Sequence, residues 1–416
     1  MAEEKPLTSP RIAALEQKLT SGDTAALEAC WQEVAERGTP LLEAIEGDSN
    51  HHLVTFLWRD TGDTHNVVVF AGPAGFDNPE GNQMAHMPNT DLWHKTYRVR
   101  SDLRTVYLLS ANDPLTELNF PDDWGTRMKA DPLNPLQFIY VKDDEDPDDK
   151  EAIVSVLELP AAPPQPWVAP RPGVAQGQVE MHRLRSDILD NERRVWVYTP
   201  PGYTTEGEPY GLLLVFDGFA YITLIPTPTI LDNLISEGKI PPLVAVLPDS
   251  LNQETRNREL PCHQPFVDFL TRELLPWVHE RYHVTSDPAR NVVAGSSYGG
   301  LAATFVGLRA SEVFGNVLSQ SGSFWWNEDP EDKIPQEWLT RQFIASPRQP
   351  VHFYMEVGLQ EKFNGGCMIV SNRHLRDILT LKGYEVYYTE YNGGHDYLCW
   401  RGSLADGLLA LIGTNK

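Results

Sequence analysis

Hydrophobic positions follow two regimes along this chain. Through residue 159 they form short strand-length runs separated by clusters of Gly, Pro, Asn and Asp: Leu53 to Trp58, Asn66 to Phe70, Trp93 to Val99, Thr105 to Leu109, Leu136 to Val141 and Ile153 to Leu157. Runs at this spacing, with no helical stretch between them, predict a β-sandwich. Two helical segments precede them, near residues 9–20 and 24–37, with Thr24 placed to cap the second. The segment from Pro160 to Pro172 holds six prolines in thirteen residues, a composition that favours a stiff, extended connection. The predicted division is therefore 1–159, a linker over 160–172, and 173–416.

In the last division strand-like runs alternate with helical ones. Strands are expected near Arg194–Tyr198, Leu212–Phe216, Leu243–Leu247, Asn291–Ala294, Asn316–Ser319, Val351–Val357 and Glu385–Thr389. Helices are expected around 228–237, 264–282, 299–309 and 367–382. Such alternation implies a mostly parallel sheet with helices on both faces, an α/β domain. Ligand sites in such sheets form at the carboxyl ends of the strands.

That position is where the chemistry falls. Asn291-Val-Val-Ala294 leads into Gly295-Ser296-Ser297-Tyr298-Gly299, a G-x-S-x-G turn from strand to helix that exposes its central side chain, Ser297. A serine hydroxyl needs a base to remove its proton. His395, in Gly393-Gly394-His395-Asp396 after the last predicted strand, is suited to that role. In α/β hydrolases the acid lies between the two in sequence. Glu361, in the loop after the Val351–Val357 strand, is the favoured acid, and Glu356, inside the strand, is its rival. Asp396 is adjacent to the histidine, where neighbouring side chains diverge; a Ser–His dyad is the remaining alternative. Oxyanion donors are expected from the N–H of Tyr298, after the nucleophile, and of Phe219, in the Asp217-Gly218-Phe219 turn after a buried strand. The predicted fold is thus an α/β hydrolase preceded by a mainly β domain.

Composition narrows the partners. The chain has 416 residues and a formal net charge of −24, which disfavours nucleic acid and anionic membranes. Its apolar runs are strand-sized, short of the ~20 residues a membrane span requires. The opening Met-Ala-Glu-Glu-Lys-Pro lacks the apolar core of a signal peptide, and a cytoplasmic location is expected. Four scattered cysteines, with no C-x-x-C, point to neither a disulfide scaffold nor a metal knuckle. His279-Glu280-Arg281-Tyr282-His283 matches H-E-x-x-H, but Pro276 precedes it and His283 falls where the helix should end, so no metal site is expected. The acidic stretch 143–149 reads as a solvated loop, with a hard-cation site as the alternative.

Longer runs carry a family likeness. Val292 to Leu301, Val317-Leu-Ser-Gln-Ser-Gly-Ser-Phe-Trp-Trp326, Gly393-Gly-His-Asp-Tyr-Leu-Cys-Trp-Arg-Gly402 and Arg256 to Cys262 resemble the enterochelin (ferric enterobactin) esterases, an esterase D-like branch of the α/β hydrolases. The likeness extends to Pro88–His94 and Ala130–Pro135. It implies hydrolysis of the trilactone of a ferric catecholate siderophore, with Ser297 as nucleophile and His395 as base. Iron would arrive with this small-molecule substrate, and no protein cofactor is implied. Arg256, Trp325, Trp326, Trp400 and Arg401 are the candidate contacts for an anionic, aromatic ligand; Arg256 paired with Glu259 and the tryptophans as core are the competing readings. The first domain is expected to roof the cleft and select substrate. A serine esterase of feruloyl or acetyl sugar esters, and a non-catalytic siderophore- or carbohydrate-binding protein, are the other functions this sequence allows.

Overall fold

The computed structural model describes residues 7–118, 123, 125–328 and 337–414, with the side chains of 363–366 outside that set. Two units emerge. The first comprises the chain to Lys142, Lys150–Pro163 and Asn392–Asp396; the second comprises Asp143–Asp149, Pro164–Tyr391 and residues from Tyr397 on.

The first unit opens with α1 (Pro10–Thr20) and α2 (Ala25–Arg37), followed by β1 (Leu41–Ile45), β2 (Asp48–Arg59), β3 (Val67–Phe70), β4 (Ala85–His86), β5 (Leu92–Arg100), β6 (Arg104–Ala111), β7 (Gln137–Tyr140) and β8 (Ala152–Glu158). They form two four-stranded antiparallel sheets, β1-β2-β5-β4 and β3-β6-β8-β7. Val54 and Phe56 of one sheet share a core with Val67, Val69, Tyr107 and Leu157 of the other. Alternate residues of β2 therefore point inward, the two-residue period of a strand. The opposite face of β2 presents Leu57 to Ile12, Trp31 and Val34 of the two helices. Ser9 caps α1, its hydroxyl accepting from the Ile12 N–H at 3.2 Å, whereas Thr24 makes no side-chain cap.

The second unit is built on β9 (Gln178–Ser186), β10 (Asn191–Thr199), β11 (Gly211–Val215), β12 (Leu243–Pro248), β13 (Asn291–Ser296), β14 (Asn316–Gln320), β15 (His352–Gly358) and β16 (Glu385–Tyr391). Its sheet order is β16-β15-β14-β13-β11-β12-β10-β9, parallel from β12 to β16 and antiparallel over β9 and β10. The helices are α3 (Gly218–Thr223), α4 (Thr227–Ser236), α5 (Gln253–Glu259), α6 (Gln264–Phe269), α7 (Leu275–Arg281), α8 (Tyr298–Arg309), α9 (Trp338–Ala345), α10 (Phe363–Leu381) and α11 (Tyr397–Ile412). Leu212, Leu214 and Val293 face a core with α6 to α10; Leu213, Val215, Val292 and Ala294 face one with α3, α4 and α11. This double burial is why β11, β12 and the Val292–Ala294 centre of β13 read as apolar runs.

The helix expected over 264–282 is interrupted. A π turn, Leu270–Leu274, joins α6 to α7. Pro276 lacks an N–H and its ring crowds the carbonyl four residues back, and the wider turn accommodates both. Helix α7 ends at Arg281 and Tyr282 is extended, so His283 leaves the face that carries His279. Its ring nitrogen lies 3.0 Å from the Gly207 carbonyl instead.

Residues from Pro164 onward in the proline-rich stretch lie along the second unit. Asn233 donates to the carbonyls of Trp167 (2.8 Å) and Ala169 (2.9 Å), and Gln165 donates to the Leu398 carbonyl at 2.8 Å. The acidic stretch 143–149 is exposed in part, but Asp143 is buried. Buried Arg194 binds it and Asp249 together: Nη1 reaches Asp143 Oδ1 at 3.0 Å and Nε reaches Asp249 Oδ2 at 2.8 Å. The solvated-loop expectation thus fails at Asp143. No described group of three or more His, Cys, Asp or Glu is arranged to hold a metal ion. No described helix is long and apolar enough to cross a membrane.

Candidate active site

The Gly295–Gly299 turn joins β13 to α8. Ser297 sits at φ 57°, ψ −119°, a backbone region costly for any residue with a Cβ. The turn closes only because Gly295 has no side chain: a Cβ there would lie 2.6 Å from the Gly299 carbonyl group. The strained residue is pinned from both sides. Its N–H donates to the Gln320 carbonyl at 2.9 Å, and its carbonyl accepts from the N–H groups of Leu301 (3.0 Å) and Ser323 (3.1 Å). Its hydroxyl lies 3.3 Å from the Ser323 hydroxyl. Tyr298 begins α8, where N–H groups lack intrahelical acceptors. Phe219, second residue of α3, has a backbone N–H in the same circumstance.

Glu361 follows β15 and is 1% exposed. Its Oε1 accepts from the Ser321 hydroxyl (2.6 Å), the Gly358 N–H (2.8 Å) and the Tyr391 hydroxyl (3.5 Å). Glu356, equally buried, belongs to a different network. It accepts from Tyr354 (3.1 Å), from the Gln320 amide (3.4 Å) and from Ser403. Burial pushes its pKa up to about 8, against hydrogen bonds that pull it down.

The remaining candidates separate. Arg256 does not pair with Glu259, which is held by Arg193 at 2.6 Å. It instead binds Asp217 through both Nε and Nη2, each at 2.8 Å, and lies over the Tyr298 ring at 5.7 Å. Burial opposes the Arg256 charge, but Asp217 outweighs it and the pKa moves up. Burial also raises the Tyr298 phenol, with Arg256 opposing. A cation so engaged is a poorer anchor for an anionic ligand than the sequence suggested. Trp400 is 3% exposed, inside the α11 core, and its indole donates to the Ser321 hydroxyl at 3.1 Å. Its ring packs and presents no open face. Trp326 is half-buried, edge-on to Trp338 at 6.0 Å. Trp325 is half-buried beside the Tyr298 ring at 6.1 Å. Arg401 donates to Gln165 at 2.9 Å.

Ser297, Tyr298, Phe219, Glu361, Arg256, the three tryptophans and Arg401 all lie in the second unit. His395 is half-buried in Asn392–Asp396, the segment after β16 that groups with the first unit. There Asn392 donates to Asp102 at 2.8 Å, and its carbonyl accepts from the Arg104 N–H at 3.1 Å. Sequence reasoning passed over Asp217, quoted only as part of a turn, and Ser321 and Ser323. Both serines lie in the Ser319–Trp326 run that carried the family likeness, so a signal was present without a role attached.

Comparison with known proteins agrees with this architecture. A family model described as a putative esterase matches residues 186–411, and one described as the enterochelin esterase N-terminal domain matches 53–168. The chain is similar to the iron(III) enterobactin esterase of Dickeya dadantii, 33% identical over 95% of each chain. It is also similar to the iron(III) salmochelin esterase of Escherichia coli, 28% identical over 97% of this chain and 98% of that one. Among solved structures, the enterobactin esterase of Shigella flexneri, determined in the presence of enterobactin, matches with a TM-score of 0.73 at 29% identity, covering 92% of this chain and 97% of that chain. The ferric enterobactin esterase of Salmonella typhimurium matches with a TM-score of 0.75 at 28% identity over 92% and 98%. With this likeness spanning both units and the esterase turn intact at Ser297, the chain belongs to the iron(III) enterobactin esterase family of ester hydrolases.

Proposed function

We propose that this protein is a serine esterase that opens the trilactone backbone of a ferric catecholate siderophore. The observation that carries the reading is the strained Ser297 turn, within a chain similar over 95% of its length to an iron(III) enterobactin esterase. Ser297 Oγ attacks a lactone carbonyl as His395 takes its proton. The N–H groups of Tyr298 and Phe219 stabilise the oxyanion. Collapse expels the alcohol of the neighbouring seryl unit, which receives the proton from His395. Water, activated by the same imidazole, then releases the acyl group. Glu361 holds the imidazole in the productive tautomer and stabilises its charged form. Iron enters as part of the substrate, and cleavage of the backbone loosens its cage. Trp325 and Arg401 contribute to the catecholate contact, and the first unit helps select substrate. The reaction is placed in the cytoplasm, where released iron is used.

The test is mass-resolved product analysis with ferric enterobactin, run beside Ser297→Ala and a small aryl ester. Serine-ester fragments from the wild type alone are expected. Aryl ester hydrolysis without trilactone cleavage would keep the serine mechanism and overturn the substrate.

A further inference from the structure

The nucleophile and the proposed acid are held by consecutive residues of one short segment. At the end of β14, the Gln320 carbonyl takes the Ser297 N–H at 2.9 Å, and the Ser323 N–H donates to the Ser297 carbonyl at 3.1 Å. Between them, the Ser321 hydroxyl donates to Glu361 Oε1 at 2.6 Å and accepts the Trp400 indole N–H at 3.1 Å. The Ser321 N–H continues the sheet ladder onto the Glu356 carbonyl at 2.9 Å. Ser321 is fully buried and sits at φ 47°, in the left-handed region that favours glycine. Glycine would suit that backbone better, yet the position carries a side chain whose one polar group meets Glu361, Trp400 and, at 3.3 Å, the Tyr391 hydroxyl.

We propose that Ser321 is a positioning residue for the hydrolysis: oriented by the Trp400 indole, it fixes the Glu361 carboxyl, and residues 320–323 thereby hold the nucleophile and the acid to one rigid element. The proposal rests on the reading of Glu361 as the third member of the triad. A hydroxyl has one proton to give. The Trp400 indole N–H occupies one lone pair of Ser321, and of the two groups left within reach, the Tyr391 hydroxyl at 3.3 Å and the Glu361 carboxyl at 2.6 Å, the nearer carboxyl takes that proton. The carboxyl is then held by Ser321, the Gly358 N–H and Tyr391, which restricts its rotation about the terminal torsion that is otherwise soft. Small displacements of a group that orients a catalytic base reduce turnover steeply, by up to ~100-fold per ångström.

The experiment compares Ser321→Gly, Ser321→Ala, Glu361→Gln and the Ser321→Gly/Glu361→Gln double variant, reading kcat and KM on a small aryl ester together with Tm. Glycine relieves the φ 47° backbone but takes the Ser321 hydroxyl from both the buried Glu361 carboxyl and the Trp400 indole, so Tm falls modestly, and it falls further in Ser321→Ala, which loses the same hydroxyl without that relief. Expected is a ~10- to 100-fold fall in kcat for Ser321→Gly with KM unchanged. A larger fall is expected for Glu361→Gln, with no further loss when the two are combined. If Glu361→Gln lowers kcat while Ser321→Gly and Ser321→Ala retain the wild-type value, the positioning role is overturned and the triad stands. Multiplicative losses in the double variant would also overturn it, since Ser321 would then act independently of Glu361. Wild-type kcat in Glu361→Gln would overturn the triad assignment itself, and the positioning role with it.

Discussion

Replacing Glu356 by Gln separates the two candidate acids, Glu356 and Glu361, by a measurement that depends on pH. The Glu356 side chain is 1% exposed, and burial raises its pKa from 4.5 to about 8. Below pH 4.5 the folded and unfolded states both carry the proton. Between 4.5 and about 8 the unfolded chain releases it and the folded chain keeps it, so stability falls as pH rises; above about 8 both states are ionised and the loss is complete. At about 1.4 kcal/mol per pH unit the whole window amounts to about 5 kcal/mol, and the interval from pH 5 to 7 to about 2–3 kcal/mol. Glutamine has nearly the same shape, and the hydroxyls of Tyr354 and Ser403 can turn to serve its amide, so the variant folds and lacks this slope. Urea unfolding of both proteins at pH 5, 6 and 7 reads the difference, which should favour Glu356→Gln increasingly as pH rises. Aryl ester kcat at pH 7 should stay within about twofold of wild type, because Glu356 bonds Tyr354, Gln320 and Ser403 and acts outside the proposed chemistry. A stability difference that does not change with pH would show that Glu356 is already ionised in the folded protein. A hundredfold loss of kcat, with Glu361→Gln unaffected, would transfer the acid role to Glu356.

Two further substitutions probe the frame around Ser297. Gly295→Ala places a Cβ 2.6 Å from the Gly299 backbone, which the first turn of α8 holds in place; a loss of about 3 kcal/mol or more is expected in thermal or urea unfolding, and an unchanged midpoint would mean that the turn relaxes. Asp217→Asn leaves the Arg256 guanidinium without its charge partner; a destabilisation of about 3–5 kcal/mol is expected, and a loss below about 1 kcal/mol would show that water already shares the pair.

What could be read before the structure follows from how each element is buried. Strands β11, β12 and β13 are covered on both faces and announce themselves as apolar runs, with the Ser297 turn directly after β13. Strand β9 escaped notice because it is an edge strand, exposed along most of its length, with charged side chains where a half-buried strand would alternate. Helix α11 escaped for the opposite reason: it is buried nearly all round, so its sequence lacks the 3.6-residue period that marks an amphipathic helix. At the site, residue types and order pointed to Ser297, His395 and Glu361. Asp217 on Arg256, and Ser321 on Glu361, are partnerships between residues 39 and 40 positions apart. They depend on which strands are neighbours, and Glu259, three residues from Arg256, was the closer but wrong guess for its partner.

The Asp143–Arg194–Asp249 cluster bears on how this protein can be divided and recombined. By sequence, the proline-rich stretch invites a cut there, yet such a cut would strip Asp143 from a catalytic half that has Arg194 buried against it. The guanidinium would keep Asp249 alone, beside the Trp196 and Phe219 rings that it overlies at 5.0 and 5.4 Å. An esterase fragment starting after the prolines therefore inherits an incomplete electrostatic ledger next to a proposed oxyanion donor, and its loss of activity would say little about substrate selection. Chimeras that exchange the sandwich for that of a relative would have to retain an acidic residue at position 143, so this one loop residue ties the inheritance of the two halves together.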